Sequence, residues 1–154
     1  MEPLLVSACL LGRCCKYDGG HNALGEESLA ALRARYELLP VCPEADGGLP
    51  TPRVPAERAG ERVLTQTGQD VTEAYRRGAQ FALETARAHG CRLALLKSRS
   101  PSCGAGVIYD GTFTHTRIPG DGVAAELLRS AGLRLYTEQE LSVLLGGDMP
   151  PRSE

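Results

Sequence analysis

Six cysteines, Cys9, Cys14, Cys15, Cys42, Cys91 and Cys103, are the side chains of this chain best suited to chemistry. A thiolate can act as a nucleophile, a redox group or a soft metal ligand. The apolar run Leu4–Leu11 follows Glu2 instead of Lys or Arg and is far too short to span a bilayer, so it reads as neither a secretory signal nor a membrane span. A cytoplasmic protein is expected, and a reducing cytosol does not keep disulfides. The cysteines are therefore expected to be metal ligands, redox groups or small core residues.

Three of them fall at comparable places. Cys9 ends an apolar strand, Cys42 ends a second, and Cys103 follows a third. Each lies in a turn rich in small or polar residues: Ser7-Ala8-Cys9-Leu10-Leu11-Gly12, Cys42-Pro43-Glu44-Ala45-Asp46-Gly47-Gly48 and Ser100-Pro101-Ser102-Cys103-Gly104. In an open parallel sheet the carboxyl ends of the strands share one edge, and ligands bind there. Three thiolates from separate loops point to a metal centre. Structural zinc usually takes a fourth Cys or His and often close CxxC pairs; no such pair is present, and His21, His89 and His115 lack ligand-like spacing. Three thiolates with one open position suit an iron–sulfur cluster whose remaining iron binds substrate, with a zinc site or plain buried thiols as alternatives.

Strands and helices must alternate to position these loops. Leu4–Cys9 and Glu37–Cys42 read as strands, the second stopped by Pro43, and Leu24–Tyr36 between them has helical spacing. Arg62–Gln66 reads as a short strand. A long helix follows, capped by Asp70 or Thr72 and ended by Gly90. Leu93–Leu96 is apolar throughout, as a strand buried on both faces is. Gly122–Ala131 reads as a helix, Leu133–Tyr136 as a strand, and Thr137–Leu145 as a last helix with Thr137 and Glu140 forming a capping box. A small hairpin at Val107–Thr114 would turn at Asp110-Gly111. The expectation is a single α/β domain over residues 1–147, a Rossmann-like open, mostly parallel sheet with helices on both faces, followed by a loose tail at 148–154.

Composition narrows the function classes. The 154 residues can bury roughly 70% of their unfolded surface without a staple. The formal net charge of -2 and the 5% aromatic content, with no Trp, disfavour both a phosphate-dominated nucleic-acid binder and a base-stacking platform.

Several motifs in one order are more specific still. Ser7–Gly12, Cys15-Lys16-Tyr17-Asp18-Gly19, Cys42-Pro43-Glu44, Gly47–Arg53, Ser100–Gly104 and Tyr109-Asp110-Gly111-Thr112-Phe113 resemble the DUF523 family, whose characterised members are thiouracil desulfidases. The resemblance covers residues 4–145. It implies a [4Fe-4S] cluster held by only three cysteines, here Cys9, Cys42 and Cys103, and a catalytic pair, Glu44 and Ser100. It also implies non-redox removal of sulfur from thiouracil or a related thiolated uridine compound. Lys16 stands where Arg is commoner in the family, and Cys14 is an addition beside Cys15.

Plainer readings stand beside these. Glu44 can cap a helix or pair with Arg53, and Ser100 and Ser102 can be turn hydroxyls. Cys91 reads as a small buried hydrophobe. Cys15 is a reserve ligand. His21 and His115 read as surface or loop residues. Asp18, Arg53, Ser102 and Lys97 are candidates for contact with a pyrimidine or phosphate, or partners of one another. A non-catalytic cluster or metal protein used for structure or redox sensing would need a closed site with Cys15 as fourth ligand. A thiol oxidoreductase using Cys14-Cys15 is disfavoured, because redox pairs usually hold two residues between them.

Overall fold

The computed structural model describes residues 1–146. The expected tail at 148–154, and the domain end at 147, lie outside the described residues.

The elements run in the order β1 (Glu2–Ser7), α1 (Glu26–Arg35), β2 (Tyr36–Val41), α2 (Pro43–Asp46), β3 (Ala56–Ala59), β4 (Arg62–Thr65), α3 (Thr72–His89), β5 (Leu93–Leu96), β6 (Val107–Tyr109), β7 (Arg117–Pro119), α4 (Val123–Ser130), β8 (Arg134–Thr137) and α5 (Leu141–Leu144). Short 3₁₀ turns follow β1 at Ala8–Leu11 and β8 at Glu138–Glu140. The main sheet is parallel throughout, in the order β2-β1-β5-β8.

Alternation along the strands sends neighbouring side chains to opposite faces, and each face has its own helices. Leu5, Ala94, Leu96 and Leu135 pack against Ala82, Leu83 and Ala86 of α3 and Ala125 and Leu128 of α4. Leu4, Val6, Leu95 and Tyr136 face Leu32 of α1 and Leu144 of α5. The central strands β1 and β5 are thus covered on both sides, which is why they carry apolar residues without a break. This is the open, doubly covered parallel sheet that the sequence predicts.

Boundaries differ in instructive places. The first strand ends at Ser7, and Cys9 sits in the 3₁₀ turn beyond it, closed by Gly12 at φ 94°. Pro43 does not end the second strand as a plain stop. It opens α2, where a missing N–H costs nothing, with Cys42 as the preceding cap residue. The N-cap of α3 is Val71 instead of Asp70 or Thr72; Asp70, one residue earlier, accepts from Thr72 N at 2.9 Å, and Gly90 ends that helix in the left-handed region. The Thr137–Glu140 capping box is present, but its first turn is 3₁₀.

The hairpin expected at Val107–Thr114 is longer. β6 pairs with β7 at Arg117–Pro119, and Asp110-Gly111 belongs to a broad loop instead of a two-residue turn. Thr112, Thr114 and Thr116 join hydroxyls along that loop at 2.6 and 2.8 Å, which favours a wide turn over a tight one. The short strand at Arg62 has a partner the sequence reading lacked: β3 and β4 form a second hairpin with Gly60 in its turn.

Candidate active site

Three loops leave the carboxyl edges of β1, β2 and β5 and enclose a cavity of about 520 Å³ lined by Cys9, Cys42 and Cys103. Each thiol is fixed by its own backbone device. Cys9 is carried by the 3₁₀ turn, and its carbonyl accepts from Asn22 N at 3.0 Å. Cys42 precedes α2; its N–H donates to Asp46 Oδ2 at 3.0 Å and its carbonyl accepts from Asp46 N at 2.7 Å. Cys103 is held by its N–H donating to Ser100 Oγ at 3.1 Å. The carbonyls of Pro101 and Ser102 in turn accept from Val123, Ala124 and Ala125 N–H, so this loop satisfies the open N-terminus of α4.

Glycines make these approaches possible. A Cβ on Gly78 of α3 would lie 1.7 Å from the Pro43 carbonyl oxygen, and one on Gly47 would lie 2.0 Å from that of Ala74. The short helix behind Cys42 therefore rests directly on the backbone of α3.

The thiols differ in acidity. Cys42 is lowered to about 6, chiefly because the Cys15 thiol hydrogen-bonds its sulfur, helped by a backbone N–H of α2. Cys15 is raised in consequence. Burial pushes Cys103 up to about 12, against hydrogen bonds from Ser7 and Ser102. Burial also raises Cys9, against a hydrogen bond with Asn22. Ser7, 2% exposed, is an unforeseen organiser, accepting from Lys97 N at 2.9 Å while it faces Cys103.

Glu44 lies beside the thiols in α2, where both carboxylate oxygens are engaged. Oε1 accepts from Arg53 Nε at 3.0 Å, and Oε2 accepts from Ser102 Oγ at 2.9 Å. The buried Tyr75 hydroxyl of α3 also hydrogen-bonds this carboxylate, and burial followed by the Glu44 charge raises the tyrosine. Ser100 Oγ lies 3.0 Å from Ser102 Oγ and accepts from the N–H groups of Ser102 and Cys103. Ser102 has one hydrogen, and its contact with the carboxylate at 2.9 Å is far shorter than that with the Cys103 sulfur at 3.8 Å, so the hydrogen goes to Glu44 and at the serine pair Ser100 is the donor. The result is a directed chain from Ser100 through Ser102 to Glu44.

Other candidates are placed differently. Arg53 lines the cavity, but its guanidinium is spent on Glu44, the Pro50 and Cys15 carbonyls and Thr51 Oγ1. It clamps loops together. Asp18 lies outside the lining and closes a local turn by accepting from Gly20 N at 2.8 Å. Lys97 lines the cavity and pairs with Glu138 at 2.9 Å. Cys15, the reserve ligand, is buried beside Cys42 and also lines the cavity, Cys91 is buried away from it, and Cys14 is exposed. His115 is an exposed loop residue, as expected, and it also lines the cavity, as do Tyr17, Tyr109 and Phe113. Nothing in its spacing marked His115, because the loop between β6 and β7 brings it there.

All six cysteines are free. Among the described residues no group of three His, Cys, Asp or Glu side chains can hold a single metal ion. A multi-iron cluster carries its thiolates on separate irons, so its ligands need not converge on one point. The half-buried Cys9 and the buried Cys42 and Cys103 are soft sulfurs around a roomy cavity and fit that donor set.

Residues 4–140 match the 2-thiouracil desulfurase family. The chain is 41% identical over 152 residues to YbbK of Bacillus subtilis (strain 168), an alignment covering 92% of this chain and 99% of that one. It is also 48% identical to a solved structure, the [4Fe-4S]-dependent thiouracil desulfidase TudS, with a TM-score of 0.89 over 94% of this chain and 95% of that one. The chain belongs to the 2-thiouracil desulfurase family.

Proposed function

We propose that this protein hydrolyses the C–S bond of a thiolated uracil base or nucleotide, with a [4Fe-4S] cluster held by Cys9, Cys42 and Cys103. The observation that carries the reading is the Ser100–Ser102–Glu44 chain lying on the same cavity as Cys9, Cys42 and Cys103, with Cys15 a fourth free thiol in the lining. Family membership and the 48% identity to TudS support both cofactor and substrate class. When bound, the cluster supplies a soft Lewis acid for a thiocarbonyl sulfur at the iron that lacks a protein ligand.

The remaining work falls to the side chains. Glu44 is the general base that takes a proton from the attacking water, and Ser100 starts the hydroxyl chain that ends on that carboxylate. Arg53 and Tyr75 hold the carboxylate in place from two sides, and Ser102 joins the base to Ser100. Water adds to the ring carbon, the C–S bond breaks, and the balance is thiouracil plus water to uracil plus hydrogen sulfide. No electron is exchanged.

No helix among the described residues is long and apolar enough to cross a membrane. We place the protein in the cytoplasm, the compartment that keeps six thiols reduced. The test is anaerobic reconstitution with iron and sulfide, followed by 4-thiouracil and the loss of its near-ultraviolet absorbance. About four irons per chain with substrate loss are expected. A loaded cluster without turnover of bases or nucleotides refutes the reading.

A further inference from the structure

We propose that the loop joining β6 to β7, residues 110–116, is the ring-recognition element of the cavity. In it Phe113 packs on the flat face of a heteroaromatic substrate, and His115 hydrogen-bonds the polar edge. The inference rests on the desulfidase reading for its substrate class and goes beyond it in assigning a binding subsite.

Backbone strain marks the loop first. Arg99, Phe113 and His115, at φ 62°, 58° and 58°, are the non-glycine residues in the left-handed region among those described, and all three line the cavity. A phenylalanine in this region is a costly choice, and such strain persists only where its surroundings impose it.

The imposing contacts are present. Glu57 of β3 reaches across from the second hairpin, and its Oε1 accepts from Gly111 N at 3.0 Å and Phe113 N at 3.2 Å. Asp110 Oδ1 accepts from Thr112 N at 2.9 Å and from Thr112 Oγ1 at 2.6 Å. Gly111, at φ 96°, lies so close to β3 that a Cβ there would meet Ala59 Cβ at 2.8 Å. The His115 ring stands edge-on to Tyr109, centroids 6.0 Å apart.

Packing does not account for this fastening. Phe113 belongs to none of the core clusters on either face of the sheet, and His115 is exposed to the cavity side. The loop holds two rings at a ligand site instead of in a core. A phenyl face suits any flat base, and an imidazole offers one donor and one acceptor to ring nitrogens and carbonyls.

Reconstituted holoenzymes test this with 4-thiouracil kinetics, iron content and uracil binding followed by saturation-transfer NMR. Phe113→Ala should raise KM about 10-fold, the worth of one base-on-aromatic contact, with kcat within about twofold. Iron content should be unchanged, the uracil signal should be lost, and Phe113→Tyr should restore both KM and signal. His115→Ala should raise KM, and His115→Gln, which keeps a donor and an acceptor, should recover it. Glu57→Ala should act in the same direction, whereas Glu57→Gln keeps the accepting oxygen and should resemble the parent. Unchanged KM and uracil signal in Phe113→Ala, with a turning-over parent, overturn the subsite and leave the desulfidase reading standing. Uracil binding lost in Phe113→Ala, with a parent that turns over no thiopyrimidine, supports the subsite and refutes that reading. Loss of iron in Phe113→Ala without rescue by tyrosine assigns the ring to structure and overturns the proposal.

Discussion

Gly78→Ala should damage the active site from a helix that contributes no thiol. In an exposed helix interior this substitution stabilises by about 1 kcal/mol, because alanine is the better helix former. Here the new Cβ would stand 1.7 Å from the Pro43 carbonyl oxygen and 2.5 Å from its carbon, whereas ordinary contact begins at 3.4 Å. Both sides are backbone, so no rotamer change can relieve the overlap, and α2 must lift from α3. Overpacking of this kind costs about 3 kcal/mol at the upper end of its usual range, leaving a net loss of about 2 kcal/mol. For a domain of this size that lowers Tm by about 4–8 °C. Function should suffer more than stability. The lifted segment carries Glu44 and follows Cys42, and misplacing a catalytic group by about 1 Å can cost about 10²-fold in rate. Thermal melting, iron per chain after reconstitution and kcat/KM for 4-thiouracil are the three readouts. A variant that melts at or above the parent temperature, with full iron and parental kcat/KM, would refute the claim that the α2–α3 contact positions the site.

The remaining predictions concern single roles. Glu44→Gln should keep the cluster and reduce kcat by about 10²-fold or more, the usual worth of a general base, as read in anaerobic turnover with matched iron content. Cys9→Ser, Cys42→Ser and Cys103→Ser should each lose iron, whereas Cys15→Ser should load it; iron lost from Cys15→Ser alone would favour a closed four-thiol site. Arg53→Met should destabilise the protein by about 3–5 kcal/mol in urea unfolding, because Arg53 and Glu44 side chains are 7% and 14% exposed and the carboxylate would lose its charged partner. The metal-free protein should lose stability at alkaline pH. Burial raises the Cys103 thiol from 9.0 to about 12, so between these values the unfolded chain releases a proton that the folded chain keeps. Stability is full below pH 9 and declines toward pH 12, and Cys103→Ala should flatten that decline in unfolding curves taken across the range.

Much of the scaffold was legible along the chain because it depends on local pattern. The uninterrupted apolar residues of β1 and β5 announced strands covered on both faces, and Gly90 marked the end of α3 through its left-handed backbone. With the strands assigned, parallel order places their carboxyl ends on one edge. That is why Cys9, Cys42 and Cys103, separated by 33 and 61 residues, could be grouped before any coordinates.

What escaped the sequence depends on contacts between segments remote in the chain. No spacing shows that Ser102 donates to a carboxylate 58 residues away, or that Tyr75 reaches the same group from α3. The sequence offered Arg53 either to Glu44 or to a ligand, and only the fold shows its donors on Glu44 and the Cys15 carbonyl, with Asp18 closing a turn outside the cavity lining. His115 read as a loop residue because its placement depends on Glu57, which fastens the loop from β3. Residue type and short-range periodicity alone determined the layered sheet, its helices and the edge where the thiols gather, since strand burial and helix capping are decided within a few residues. Only the tertiary structure decided which hydroxyl meets the carboxylate, which cation is already paired and which rings face the cavity. Those outcomes depend on hydrogen-bond geometry across distant segments, where a shift of an ångström makes or breaks the contact.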